Sequence, residues 1–278
     1  MSRVALQARE CLAPERGSAL WGETSLVRLL GPVDAVIDTV PAAMTGFRRK
    51  AVLAVLALHE GEIVGVDRIT NVVWSDSAGA TSVNTVQSHV SYLRNVLGAR
   101  TAILARPPGY LLNLGRDATD VAIARRLVEQ SDRHTDAEQR ASVLRAALAM
   151  WRGQPLIDVR GSAWLDEQAR LLEQLRWQAE HALIGARLAL GETASLIGEL
   201  ERLIAAHPFD EQLHGQLMLA LYRSGRQADA LGVYRRLRRA LADALGIDPN
   251  HSLRDMESAI LRQDPSLEPH HGSRRRVG

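Results

Sequence analysis

The sequence predicts a mainly α protein in which an N-terminal winged helix-turn-helix domain, of α+β type, precedes an all-α, tetratricopeptide-like domain. Three observations support this prediction. An amphipathic helix over residues 80–97 is followed at once by a short β-hairpin. Beyond Gly115, nearly every segment to Gln263 has Ala, Leu, Arg and Glu at helical spacing. Gly191 and Gly225 lie 34 residues apart, the period of a tetratricopeptide repeat.

Composition and charge restrict the class of protein. With 278 residues and 46% hydrophobic content, the chain is long enough to form two cores. Charges interrupt every apolar run of the N-terminus, and no run reaches the roughly 18 apolar residues of a membrane span. We therefore expect a cytoplasmic protein without a signal peptide or membrane span. The single cysteine, Cys11, excludes an internal disulfide and a zinc site built from cysteines.

Sequence patterns divide the chain into four segments. Residues 1–24 have no sustained periodicity and are expected to form a flexible extension. The winged-helix domain is expected over residues 25–115 and the tetratricopeptide-like domain over residues 116–264. Residues 265–278, which are rich in Pro, His and Arg, are expected to be a disordered tail.

Two short strand-like runs between residues 26 and 40, separated by the turn signal Gly31-Pro32, open the winged-helix segment. The apolar periodicity then predicts helices over residues 47–58, 66–74 and 80–97. Thr45 or Gly46 is expected to cap the first of these helices. A loop over residues 75–79 is expected to lead into the third.

Three adjacent cations, Arg48, Arg49 and Lys50, lie in the first turn of the helix over residues 47–58. Positive charge there opposes the helix dipole, which is unfavourable unless an anion lies nearby. A DNA phosphate is one such anion, and a solvated run of charges is the alternative. Trp74, at the end of the next helix, is either a further phosphate contact or a buried core residue.

The helix over residues 80–97 has an unusual outer face. Its apolar side, at about 100° per residue, is a narrow stripe of Val83, Val86, Val90, Leu93 and Leu97. Opposite lie short uncharged hydrogen-bonding side chains and one aromatic: Asn84, Thr85, Ser88, Ser91, Tyr92 and Asn95. An ordinary solvent-exposed helix carries Glu, Lys and Gln instead. Because Asn, Ser, Thr and Tyr can contact base edges or phosphates, this helix is predicted to read DNA, and plain solvent exposure is the alternative.

Residues 101–114 form two apolar runs around a basic and aromatic tip and are predicted to be a β-hairpin, the wing. Arg94 and Arg106 flank the reading helix. Arg106 is expected to contact the adjacent minor groove or its phosphates. Tyr110 either joins that contact or packs in the core of the hairpin, and the sequence leaves both alternatives open. His89, at the edge of the apolar stripe, is expected to pack rather than to read bases.

In the helical domain, Gly191 and Gly225 are expected to close the first helix of each pair, with the next helix beginning at Leu196 and Ala230. The predicted packing positions are Leu183, Leu196, Leu200, Leu203 and Pro208, then Leu217, Leu221, Ala230, Tyr234 and Leu237. A third, weaker copy is expected around residues 141–155, because such pairs must stack to bury their faces. The side chains expected to fill the core, rather than form a stacking platform, are Trp151, Trp164 and Trp177.

Four stretches make the chain resemble the Streptomyces antibiotic regulatory protein family: residues 85–97, the RPPGYLL wing at 106–112, the ALAMWRGQPL segment at 147–156 and the segment 207–249. Members of that family join an OmpR-type winged helix to a tetratricopeptide-like bacterial transcriptional activation domain. The resemblance covers roughly residues 26–264, and the end at Gly278 leads us to expect a short, two-domain member. Two positions depart from the family's pattern: the first helix opens with FRRK, and Ser91-Tyr92 stands where cations are frequent.

The resemblance implies a sequence-specific DNA-binding transcriptional activator. The reading helix would enter the major groove, with Thr85, Ser88 and Tyr92 on the bases. Contacts to sugar and phosphate would come from Asn84, Ser91, Arg94, Asn95, Arg106, Arg48 and Arg49.

The resemblance also implies the partners. A homodimer would bind double-stranded promoter DNA at direct repeats about 10.5 bp apart and recruit RNA polymerase. The target would be a secondary-metabolite, antibiotic biosynthetic gene cluster. Such a protein is cytoplasmic and nucleoid-associated, and it needs no cofactor or metal.

Two other classes of protein compete with this interpretation. An enzyme is disfavoured, because the sequence has no phosphate-binding loop, no HExxH motif and no metal-ligand spacing except the tail pair His270-His271. A helical-repeat scaffold for protein interactions, without specific DNA binding, is the serious alternative. Salt separates the two, because binding to DNA phosphates weakens steeply as salt rises and an apolar contact does not.

Overall fold

The structure, a computed structural model, describes residues 25–74 and 83–268. The predicted extension, the loop over residues 75–79 and the tail from residue 269 lie outside the described residues. Within the described ranges, no helix is long and apolar enough to cross a membrane. The chain divides into two compact units: unit 1 is residues 1–130 with 143–179, and unit 2 is residues 131–142 with 180–278.

Unit 1 begins with an antiparallel sheet of three short strands, β1 (Ser25–Arg28), β2 (Asp34–Ile37) and β3 (Val40–Pro41), hydrogen-bonded in that order. The first two strands confirm the predicted strand-like runs. β3 is not predicted by the sequence, because two residues are too few to show the alternation of a strand.

The three predicted helices follow as α1 (Phe47–Leu58), α2 (Val66–Val73) and α3, of which residues Val83–Val96 are described. α1 has the predicted bounds and Gly46 as its N-cap residue. It is the centre of the core of unit 1, since seven consecutive residues, 51–57, are buried. A helix that is buried all round must be apolar all round, which explains the run AVLAVLA.

A second antiparallel sheet forms the wing. Its strands are β4 (Val64–Gly65), β5 (Ile103–Arg106) and β6 (Gly109–Leu112), in the order β4-β6-β5, and a 3-10 turn over Arg100–Ala102 precedes β5. β5 and β6 are the predicted hairpin, joined by Pro107 and Pro108 through a cis peptide bond. The sequence does not predict β4. Its pairing with β6 makes the wing a three-stranded sheet.

Unit 1 extends beyond the wing into α4 (Asp120–Ser131), the C-terminal half of α5 (Ala137–Leu148) and the first part of α6 (Ala163–Ala189). The β1–β2 turn, residues 29–33, is bonded to these later residues. The Asp120 carboxylate accepts the N–H groups of Leu29 at 2.7 Å and Leu30 at 3.0 Å. Burial raises the pKa of this carboxyl to about 6, although both N–H donors act in the opposite direction.

The carbonyl groups of the same turn are bonded as well. Leu30 O accepts from the backbone N–H of Arg152 at 2.7 Å, and Leu29 O accepts from that of Leu156 at 3.1 Å. Both leucines are fully buried, so these backbone groups have no access to water. The change of sequence pattern at residue 115 therefore does not coincide with the edge of a compact unit.

Unit 2 is helical in its described residues. Besides the N-terminal half of α5 and the last part of α6, it contains α7 (Thr193–Ala206), α8 (Glu211–Arg223), α9 (Gln227–Leu245) and α10 (His251–Arg262). Gly191 and Gly225 have positive φ angles of 81° and 76° and terminate the preceding helices, as expected. α7 and α9 begin three residues earlier than predicted, because Leu196 and Ala230 are the first buried positions of these helices rather than their first residues.

The predicted packing positions of unit 2 are largely confirmed. Those that are buried are Leu196, Leu200, Leu217, Leu221, Ala230, Tyr234 and Leu237. Leu183 and Leu203 are half-buried. Pro208 is exposed, so its assignment is wrong: it lies in the turn between α7 and α8.

The prediction of a disordered tail is wrong for its first residues. Pro265–Leu267 form a 3-10 turn, and Leu267 is buried. The side chain of Asp264 accepts the N–H of Ser266 at 2.9 Å, and Arg223 donates to Leu267 O at 2.6 Å. These hydrogen bonds and the buried Leu267 side chain order residues 265–267, although the composition of the tail is polar.

The expected third repeat copy contributes to a different unit. From residues 141–155, Val143, Ala147 and Met150 join the core of unit 1. Trp151 and Trp164 pack against that core, which agrees with the core-filling prediction, although they and Trp177 are only half-buried.

We predict that a fragment of residues 1–115 is much less stable than a fragment of residues 1–179. The shorter fragment loses the bonds that Asp120 accepts from Leu29 and Leu30, and it loses core residues such as Val121 and Leu127. Burial of a large apolar side chain contributes about 1.5–3 kcal/mol. Urea unfolding followed by circular dichroism measures the difference. Equal cooperative transitions for both fragments would contradict the dependence of the winged helix on residues 116–179.

Candidate nucleic-acid interface

Helix α3 presents one apolar and one polar face. Val86, Val90, Leu93 and Leu97 are buried, as predicted. The exposed positions are Asn84, Gln87, Ser88, Ser91 and Asn95, and we call these five side chains the recognition face. Four of them were predicted from the sequence. Gln87 was not predicted. At about 100° per residue it lies only about 60° from Asn84, so helical spacing alone would place it on the same face.

The other three predicted readers on α3 lie at its flanks. Thr85, Tyr92 and Arg94 are half-buried. Arg94 donates from Nε to Ile103 O at 2.8 Å, so part of its guanidinium bonds α3 to β5 of the wing. Ser88 is on the recognition face, and its hydroxyl donates to Asn84 O at 2.9 Å, a bond that exposed hydroxyl groups can exchange for an external partner.

Tyr92 is held between two groups from the start of α1. The guanidinium carbon of Arg49 lies 3.9 Å from the centroid of the Tyr92 ring, a cation–π contact. The hydroxyl oxygen of Tyr92 accepts the backbone N–H of Thr45 at 3.4 Å. This N–H contact, together with Arg49, lowers the pKa of the Tyr92 hydroxyl. Tyr92 is therefore oriented toward α1 and not toward the centre of the recognition face.

Arg48 and Trp74 form a second contact of the same kind. The Arg48 guanidinium lies 5.7 Å from the centroid of the Trp74 ring, and the same ring stacks on His89 at 5.6 Å. Trp74 is only 4% exposed, which contradicts its assignment as a DNA contact and selects the buried alternative. His89 packs, as expected, and its burial, with Arg49 and Arg48 nearby, lowers the pKa of its imidazole.

Lys50, the third cation of the FRRK segment, has a structural partner. Its Nζ lies 2.6 Å from Asp158 Oδ2 in a half-buried ion pair. The solvated-charge alternative is wrong for this residue, and so is the grouping of all three cations at one phosphate site. The other two cations contact rings at or beside α3, with Arg48 over Trp74 and Arg49 over Tyr92.

The wing has an exposed tip on a constrained base. Arg106 and the two prolines after it are exposed, so Arg106 remains available to a ligand. Tyr110 is 8% exposed, which selects the core alternative and contradicts its assignment as a DNA contact. Gly109 is paired with Gly65 of β4, and a Cβ on Gly109 would lie 1.8 Å from Val64 O. The wing can therefore have its third strand only with glycine at position 109.

Comparisons with known proteins agree with this geometry. The family model for the C-terminal domain of transcriptional regulatory proteins matches residues 47–112, and the bacterial transcriptional activator domain matches residues 119–261. The chain belongs to the Streptomyces antibiotic regulatory protein family. It joins an OmpR-type winged helix to a bacterial transcriptional activator domain, which are the two domains of this family of transcriptional regulators.

Members of the family match most of this chain. It is 37% identical over 248 residues to the transcriptional regulatory protein EmbR of Mycobacterium tuberculosis, covering 85% of this chain and 63% of EmbR. Against the regulatory protein AfsR of Streptomyces coelicolor the identity is 36% over 243 residues, covering 86% and 24%. Against the regulatory protein DnrI of Streptomyces peucetius it is 31% over 255 residues, covering 87% and 94%.

A solved structure shares the fold. Mycobacterium tuberculosis EmbR, in complex with a low-affinity phosphopeptide, superposes with a TM-score of 0.82 at 36% identity, covering 88% of this chain and 66% of that chain. The chain thus spans somewhat less than two thirds of EmbR and nearly all of DnrI.

We predict that Gly109→Ala disrupts the wing, whereas Gly65→Ala does not. The two glycines are direct strand partners, yet a Cβ on Gly65 meets nothing within 4 Å while one on Gly109 meets the Val64 carbonyl. We expect Gly109→Ala to lower the free energy of unfolding by about 2 kcal/mol or more and Gly65→Ala to change it by about 1 kcal/mol or less. Chemical denaturation of both variants is the measurement. A similar small effect of both would show that β4 does not pair with β6 in solution.

Proposed function

We propose that the chain is a sequence-specific DNA-binding transcriptional activator in which α3 enters the major groove and the wing approaches the adjacent minor groove. The observation that supports this proposal best is the recognition face, five exposed uncharged side chains on a helix whose opposite side is buried. Amide and hydroxyl groups can both donate to and accept from base edges. The family match over residues 47–112 supports the same assignment.

The placement of the side chains refines the expected roles. Base contacts are assigned to the recognition face, including Gln87. Arg106 at the wing tip is assigned to phosphate or the minor groove, and Arg48 is assigned to phosphate. Thr85 and Tyr92 are no longer assigned to the bases, because both are half-buried at one flank of α3.

The wider regulatory role is also a proposal. Two protomers would bind direct repeats about 10.5 bp apart and recruit RNA polymerase, with the helical domain supporting these contacts. Membership of the Streptomyces antibiotic regulatory protein family supports this role. A biosynthetic gene cluster for a secondary metabolite is the target we propose.

The decisive test of DNA binding is a mobility-shift assay. The purified protein is mixed with the promoter regions flanking its own gene, at low and moderate salt, against scrambled competitor. We expect a competitor-resistant complex that protects paired direct repeats from nuclease. Absence of any complex at either salt concentration would favour the helical-repeat scaffold instead.

We predict that two alanine substitutions affect this binding in different ways, one through base preference and the other through overall affinity. Gln87→Ala should change the preferred base at one position of each repeat, because a base contact contributes about 1–3 kcal/mol of discrimination. Arg106→Ala should weaken binding to specific and scrambled DNA alike and reduce the slope of log K against log salt by about 0.9. Binding-site selection and salt titration of both variants measure these effects. A changed preference with Arg106→Ala would reverse the two roles.

A further inference from the structure

The recognition helix has almost no positive charge of its own. Over Val83–Val96 the only Lys or Arg is Arg94, and its Nε is bonded to Ile103 O. DNA affinity depends chiefly on cations at phosphates, so the charge beside α3 must come from neighbouring elements. Arg49 of α1 is the cation in direct contact with a side chain of α3.

The flank of α3 that carries Tyr92 would face one wall of a major groove when the recognition face points to its floor. With about 100° per residue, Tyr92 lies about 80° from Asn84, whereas the recognition face spans about 100° in all. The groove is about 12 Å wide and a helix with side chains is about 10–12 Å across. A side chain displaced by about 80° from the floor of the groove therefore meets the wall, which is a row of phosphates.

We propose that Arg49, stacked on Tyr92, binds a single DNA phosphate on one wall of the major groove and so fixes the register of α3. This inference rests on the proposed DNA binding of α3. Arg49 is the contacting residue and Tyr92 is a positioning residue. The Tyr92 ring supports one face of the guanidinium, and the N–H groups that do not bond the Tyr92 hydroxyl can donate to a phosphate in the plane of the guanidinium.

The stack explains why an arginine can act efficiently here. A free arginine side chain loses much of its rotamer freedom when it binds, and this loss reduces affinity. Arg49 is already half-buried and held 3.9 Å from the ring centroid, and the ring is in turn held by the Thr45 N–H. Part of the rotamer freedom of the Arg49 side chain is therefore already lost before DNA binds.

The test measures binding of the full chain to its selected site and to scrambled DNA. Arg49→Ala is expected to weaken both about tenfold and to lower the salt slope by about 0.9. Tyr92→Ala is expected to weaken binding to both DNAs about threefold or more. The double variant should bind little worse than Arg49→Ala, because the Tyr92 ring has no guanidinium to support once Arg49 is removed. Neither variant should alter the preferred sequence.

Two conservative variants keep the test independent of folding. Tyr92→Phe retains the ring and should bind within about twofold of wild type. Arg49→Lys retains the charge and the salt slope but loses the flat stack, so its affinity should lie between those of wild type and Arg49→Ala. The matched charge control is Arg125→Ala, an exposed arginine on α4, which should bind like wild type. Thermal unfolding confirms that each variant is folded.

A scan of the site with single neutral methylphosphonate substitutions identifies the phosphate. One position should weaken wild type strongly and leave Arg49→Ala unaffected. Three results overturn the proposal: no such position, additive effects of Arg49→Ala and Tyr92→Ala, or an altered base preference in Arg49→Ala. If wild type itself fails to bind DNA, the proposed function and this contact fall together, whereas binding by wild type with any of those three results removes only the contact.

Discussion

Unit 1 depends on satisfying the backbone of one buried turn. Residues 29–33 join β1 to β2, and their polar groups bond to residues far along the chain. Besides the bonds of the two leucines, the N–H of Val33 donates to Asp158 Oδ1 at 2.8 Å, and Pro32 O accepts from the Arg152 guanidinium at 2.9 Å. A turn that lies in a core must find partners for every N–H and C=O, because water cannot reach them. For the buried residues Leu29, Leu30 and Val33, the bonded partners lie within residues 120–158, so the first sheet and the segment beyond the wing stabilise each other.

The same segment also fixes the first helix. Asp158 bonds the turn with one carboxylate oxygen and Lys50 of α1 with the other, at 2.6 Å. The buried Asp120 carboxylate accepts two N–H groups, and these donors, with the charge of Arg152, offset part of the cost of its burial. The position of α1, and with it the position of Arg48 and Arg49 beside α3, is thus coupled to residues outside the winged helix as the sequence defines it.

The sequence predicted the elements with strong periodicity and missed those without it. α1, the wing hairpin and the two repeat glycines follow from apolar spacing and from the conformational demands of glycine. β3 and β4 could not be found, because each has two residues and exists only through pairing with a neighbouring strand. The anchoring by Asp120 could not be found either, since a bond between residues about 90 positions apart leaves no local pattern.

Within the candidate site, the sequence pattern predicted a helix with a polar outer face but could not rank the side chains on that face. Polar residues at the flank and at the centre of the outer face are chemically alike, and only packing separates half-buried Tyr92 from exposed Ser91. An aromatic ring was ambiguous for the same reason, as Trp74 and Tyr110 show by being buried. Gln87 was overlooked because glutamine is also an ordinary helix-forming surface residue.

The FRRK segment shows how affinity and specificity would be separated in the proposed DNA complex. Its three adjacent cations have three different partners: Arg48 lies over Trp74, Arg49 over Tyr92, and Lys50 is paired with Asp158. Lys50 positions α1, so that the two arginines lie along the flank of a helix that is itself almost uncharged. Substitutions on the recognition face therefore leave unchanged the core contacts and most of the positive charge. In the proposed complex, the base preference would change by one side chain at a time, while the attraction to the DNA backbone would stay with α1 and the wing.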